Sequence, residues 1–149
     1  MSANVLRVFV SGVAVSEGST EYKGLTRRGK PRLVHHNHDD LCTWRNQVTV
    51  ATVLAARAAG WPLRLDEPVH VGVVFYLPRP QRPRWDVPAT KPDLDKLQRA
   101  VGDALCPKEG LGVLREDSRI VKWLNPEKVY ATTRGPGAEI TIVRIGEAA

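Results

Sequence analysis

The segment EPVHVGVVFYLPRPQRPRWDVPATKPDLDKLQRAVGDAL, residues 67–105, decides the architecture. In 67–77, Val69, Val71, Val73, Phe75 and Leu77 fall on one face at period two. Val74 and Tyr76 make the other face partly apolar as well, which predicts a strand central in a sheet. Residues 78–92 then hold five prolines in fifteen positions. Proline removes ladder donors, so this stretch is an irregular loop. From about Asp93 to Leu105 the spacing becomes helical, with Leu94, Leu97, Val101, Ala104 and Leu105 on one face. Pro92 pushes Lys91 toward an extended conformation and suits a helix's first turn.

Working outward, residues 5–15 read as a strand broken at Gly12, and 18–32 as loop or hairpin. Asp39 or Asp40 can cap a helix running to about Ala59, with Leu41, Trp44, Val48, Ala51, Ala55 and Ala58 as its buried stripe. Gly60 and Pro62 stop it. Downstream, 119–131 read as a strand with Pro126 at an edge or bulge. A Gly135-Pro136-Gly137 turn leads to a last strand, 139–145. Hairpins are expected at both ends of the chain. The whole, 1–149, predicts one domain of α/β (α+β) class: a small mixed sheet with two main helices packed on it.

Twenty-two basic against sixteen acidic residues give a formal charge of +6. Such a surface favours polyanions, though many small proteins are basic without a nucleic-acid partner. The most apolar stretch, Val48 to Gly60, carries Arg57 and is too short to span a bilayer. The N-terminus lacks a signal peptide's pattern, so a cytoplasmic location is expected. Cys42 and Cys106 lie far apart and read as free thiols, with no zinc-ligand spacing. The run HHNHDD, residues 35–40, lacks a distant partner ligand and reads as a solvated helix entrance.

Asp93 and Asp95 lie at the second helix's entrance. Two carboxylates so close repel each other. A helix N-terminus relieves this only modestly. A divalent cation does so much better, and Mg²⁺ prefers hard oxygen ligands. Taken alone, the pair fits a cap and a first-turn acid equally well. In REDSRI, residues 115–120, Glu116 and Asp117 precede a predicted strand, and the link 106–114 is short enough to return Asp117 toward the helix entrance. A turn acid is the plainer reading there.

Taken together, these segments resemble the RusA family of Holliday-junction resolvases. That family's pattern is D-x-D-N-L-x-K, then D-A-L, then D-D-x-Q-(I/V) entering a strand. It is matched here by Asp93-Leu94-Asp95-Lys96-Leu97-Gln98-Arg99, Asp103-Ala104-Leu105 and Glu116-Asp117-Ser118-Arg119-Ile120. The likeness is close over residues 91–130, including Lys128, and looser upstream, where Trp44-Arg45 lies on the first helix.

The resemblance implies that Asp93, Asp95 and Asp117 are catalytic, metal-binding carboxylates for Mg²⁺ (or Mn²⁺), with Glu116 an auxiliary acid. Asp103 matches a family acid, or else pairs with Arg99 at i,i+4. Lys96 replaces the family's Asn, Arg99 its Lys and Arg119 its Gln. Arg99 can stabilise charge on the scissile phosphate but cannot shuttle a proton, so a titrating amine would have to be Lys96. The resemblance further implies a homodimer, bacterial or phage-encoded, making paired nicks in four-way DNA junctions without an organic cofactor. Lys23, Arg27, Arg28, Lys30, Arg32, Arg79, Arg82, Arg84, Lys91 and Lys128 are the expected DNA contacts. Trp85 is expected either to stack on an unpaired base or to cover the core or a dimer contact. Two alternatives stay open: the same chemistry on forks or flaps, and a non-catalytic architectural DNA-binding protein whose acids only cap and pair.

Overall fold

The computed structural model describes residues 4–17, 20–25, 27–29, 31–35 and 38–146, with 20–25 and 31–35 described as backbone. In order, the elements are β1 (Val5–Ser11), β2 (Thr20–Leu25), β3 (Pro31–His35), α1 (His38–Ala58), β4 (Val69–Leu77), α2 (Leu94–Leu105), a 3₁₀ turn (Asp117–Arg119), β5 (Ile120–Tyr130) and β6 (Gly137–Arg144).

The alternation in 69–77 has the predicted effect. Val69, Val71, Val73, Phe75 and Leu77 are all buried, and β4 lies inside a four-stranded sheet of order β1-β6-β4-β5. β4 runs parallel to β5 and antiparallel to β6. The parallel pair needs a crossover, and α2 supplies it. β5 bulges against β4 near Pro126, as an edge strand carrying proline must. The N-terminal hairpin forms, with β2 and β3 as a separate two-stranded sheet. The expected C-terminal hairpin does not: β5 and β6 are consecutive in sequence, yet β4 lies between them. The reason is burial. β6 carries Ala138, Ile140 and Ile142 inward and fills the interior slot between β1 and β4.

Helix α1 packs on β1, α2 packs on β5, and the helices touch each other, so both cover one face of the sheet. Between them and the sheet lies a core that includes Trp44, Val48, Phe75, Leu97, Val101, Leu105, Ile140 and Ile142. Each such side chain contributes about 1.5–3 kcal/mol relative to exposure. The buried stripe of α1 differs from the predicted one: Leu41, Trp44, Val48, Thr52, Val53 and Ala56 are buried, while Ala51 and Ala55 are only partly so and Ala58 lies outside the stripe. Thr52 is tolerated inside because its hydroxyl donates to the Val48 carbonyl at 2.7 Å. Thr49 ties the helices together by donating to the Ala104 carbonyl at 2.6 Å.

Helix α1 starts at His38, so Asp39 and Asp40 occupy its first turn and not its cap. Its end is as expected. Gly60 has φ +76°, and the amides of Gly60 and Trp61 donate back to Arg57 and Ala56, which closes the helix in a Schellman turn. No helix among the described residues is long and apolar enough to cross a membrane.

Candidate active site

Helix α2 begins with Asp93 at its cap position, in extended backbone at φ −70°, ψ 139°. Pro92 therefore precedes the cap and does not enter the first turn. The Asp93 side chain makes no capping hydrogen bond. Its carboxylate lies 3.6 Å from Lys96 Nζ, in an exposed pair. Such a pair contributes little to stability, so the group remains available for other chemistry. Asp95 stands exposed in the first turn, where the helix dipole favours an acid.

Asp95, Arg99 and Asp103 follow at i, i+4 and i+8, which places them along one face of α2. Beside that face opens a cleft of about 590 Å³. Arg99 and Asp103 line it from α2 and Cys106 from just past its end, Arg45 from α1, and Asp117 from the 3₁₀ turn with Glu116 just before it. Glu17, from the loop after β1, also lines it. Glu17 was not foreseen, because a single acid after a strand carries no pattern. Its amide donates to the Lys96 carbonyl at 3.2 Å, which ties this loop to α2. Its carboxyl lies 3.8 Å from Arg45, and one oxygen, Oε2, is buried. Burial raises the Glu17 carboxyl to about 7, and hydrogen bonding and repulsion from Asp103 add to this, against the pull of Arg45 and Arg99. Asp103 and Glu17 thus line one cleft. Cys106, half-buried and facing the charges of Asp117 and Asp103, is pushed up to about 11. It is an inert thiol at neutral pH.

The route back from α2 is fixed by backbone bonds: Leu114 N–H to the Leu105 carbonyl, Leu65 N–H to Val113, and Arg115 N–H to Leu65. Arg119, where the family pattern has Gln, braces the turn that follows. Its guanidinium meets Glu116 at 2.6 Å and Asp66 at 2.7 Å. The hydrogen bond from Arg119 holds the Asp66 carboxyl below the usual range.

These ties decide where Asp117 sits. It shares the cleft with Asp103, whereas Asp93 and Asp95 are not among the cleft's lining. Eight residues of helix separate Asp95 from Asp103, about 12 Å along the axis. Among the described residues, no three His, Cys, Asp or Glu side chains are gathered to hold a metal ion. The donor chemistry fits a hard divalent cation, because every acid on this face offers carboxylate oxygen. The acids are strung along α2, however, and not closed around one point.

The basic residues divide by location. Arg79, Arg82, Arg84 and Lys91 are exposed on the irregular loop 78–92, where Pro88 is buried. The Arg84 guanidinium sits 4.4 Å from the centre of the Trp85 ring, and Trp85 is 42% exposed. It does not cover the core. Arg27 and Arg28 are exposed in the turn between β2 and β3. The side chains of Lys23 and Arg32, and the whole of Lys30, lie outside the described residues. So do His36 and Asn37 of the histidine run, whose His38 ring lies 3.7 Å from Cys42 Sγ. Lys128 turns inward and donates to the carbonyls of Thr90 and Pro92 at 2.8 and 2.9 Å.

The family Endodeoxyribonuclease RusA matches the sequence over residues 22–143, most of its length. Helix α2, the 3₁₀ turn and the basic loop all fall inside the match, and Glu17 lies before it. No individual curated protein matches significantly.

Proposed function

The chain belongs to the RusA endodeoxyribonuclease family, and on that footing we propose that it is a metal-dependent, structure-selective nuclease making paired nicks in four-way DNA junctions. The observation that carries this reading is the state of Asp93. It occupies a cap position, yet its carboxylate does not cap, and Asp95 stands exposed two residues on. Acids that served only the helix would be spent on its amides.

Asp93, Asp95 and Asp117 would have to draw together to hold Mg²⁺ or Mn²⁺, which when bound supplies an activated water and stabilises the leaving oxygen. The chain's own residues do the rest. Arg99 stands between Asp95 and Asp103 on the same face and offers a permanently protonated fork to a phosphate oxygen. Arg45 and Arg99 offset the acids of the cleft, so a phosphate can approach it. Lys96 holds its ammonium 3.6 Å from the Asp93 carboxylate. The arginines of loop 78–92 and of the β2–β3 turn would hold the backbones of the junction arms. Phosphate contacts of that kind read geometry and not base sequence. Paired nicks need two such sites, which a homodimer provides.

The test is incubation of a labelled four-way junction with the purified protein, in Mg²⁺ and in EDTA. Paired nicks in Mg²⁺ alone support the reading. Equal cutting of linear duplex would remove the junction selectivity. Binding without cutting in any divalent ion would leave an architectural DNA-binding protein.

A further inference from the structure

We propose that Lys128 is a positioning residue that fixes the entrance of α2, and with it Asp93 and Asp95, in place of the phosphate contact its charge suggests. The proposal rests on the nuclease reading above. Lys128 sits on β5 opposite Phe75 of β4 and is half-buried. Two of its three ammonium protons go to the carbonyls of Thr90 and Pro92, the residues on either side of Lys91 and just before Asp93. A charged donor on a carbonyl makes a bond about twice as strong as a neutral one.

Among the described residues, the other ties of this segment are the burial of Pro88, the Leu97 amide on the Asp93 carbonyl and the Glu17 amide on the Lys96 carbonyl. Loop 78–92 has prolines where ladder donors would be, and an Ala89 N–H to Val87 carbonyl bond is a local contact within the loop. The Asp93 side chain does not cap the helix, so the first turn is not locked by its own side chain. A lysine reaching from the sheet therefore anchors the backbone just ahead of the cap position, although as a donor it cannot satisfy the helix amides as a cap would. It leaves the Asp93 carboxylate unspent while holding its backbone still. The same carbonyls end the loop that carries Arg79, Arg82 and Arg84, so Lys128 joins the proposed DNA-holding loop to the proposed reacting carboxylates.

The experiment compares Lys128→Met, which keeps the stem and removes the donors, with Lys128→Arg, which keeps donors of similar reach. Three quantities are read: amide hydrogen exchange over residues 91–97, affinity for a four-way junction across salt concentrations in EDTA, and single-turnover cleavage in Mg²⁺. For Lys128→Met, exchange at the entrance rises by about tenfold or more while exchange in β4 and β6 is unchanged. Junction affinity stays within about twofold with an unaltered salt slope, and the cleavage rate at saturating substrate falls by about tenfold or more. Lys128→Arg recovers most of the rate. The proposal is overturned if Lys128→Met leaves exchange at 91–97 unchanged, or if it lowers affinity and flattens the salt slope by about one charge. If the unmodified protein does not cut junctions but exchange still responds, the pin stands and the nuclease reading falls.

Discussion

Glu17, from the loop after β1, and Asp103, from the third turn of α2, line the same cleft, with the Arg45 guanidinium 3.8 Å from Glu17. Two acids brought together out of water cannot both ionise cheaply. Burial, with Asp103 adding to it, pushes the Glu17 carboxyl up to about 7.

That shift has a consequence for stability. Glu17 is raised in the fold from 4.5 to about 7, so between those values the native state binds more protons than the unfolded one. Its contribution is fully present below the lower value and is lost as pH rises through the higher. Glu17→Gln, neutral throughout, should flatten the fall in stability between pH 4.5 and 7 and leave the protein more stable at pH 8, by on the order of 1 kcal/mol. Denaturant midpoints of both proteins at pH 5 and 8 check this. An unchanged slope, or a variant weaker at pH 8, contradicts it.

Arg82 and Arg84 are exposed on the proline-rich loop. Neutralising a phosphate releases condensed counterions, so charge reversal at either arginine should weaken junction binding and reduce the salt slope by about one for each phosphate left unneutralised. Stability should change by no more than about 0.5 kcal/mol, since both side chains are exposed. Titrations between low and moderate salt measure the slope. An unchanged slope removes this loop from the interface.

Trp85 stands outside the core, stacked under Arg84. If it stacks on a base at the junction centre, Trp85→Ala should weaken junction binding by about 1–3 kcal/mol, with little change in thermal midpoint. Binding to linear duplex, which offers no unpaired base, should change less. Equal weakening on both DNAs would mean that Trp85 acts by holding Arg84 in place.

Much of this architecture is legible in the residues. Val69 to Leu77 alternate because β4 is buried by helices on one face and half-covered on the other. Leu97, Val101 and Leu105 repeat at helical spacing because α2 lies on the sheet. Other features depend on contacts distant in sequence. The placing of β6 between β1 and β4 is a tertiary choice, made by the inward side chains of three strands. Ala51, Ala55 and Ala58 suit either face of α1, so small residues misled the stripe, while Thr52 is buried only because its hydroxyl finds the Val48 carbonyl. Asp93, Asp95 and Asp117 stand out by motif, but motif spacing does not reveal that Asp117 would share its cleft with Asp103. Lys128 looks like any other basic residue until its two carbonyl partners are seen, and Glu17 has no local signature at all.

The carboxylates of α2 and the 3₁₀ turn are the centre of the functional account, and single-turnover cleavage of a four-way junction across Mg²⁺ concentrations tests them most directly. The unmodified protein should cut only with the divalent ion. Asp93→Asn, Asp95→Asn and Asp117→Asn should each lower the rate by at least about a hundredfold, roughly 2.7 kcal/mol of barrier, while binding the junction in EDTA no more weakly than before. Cutting in EDTA, or any of the three variants cutting at the full rate in saturating Mg²⁺, would contradict it.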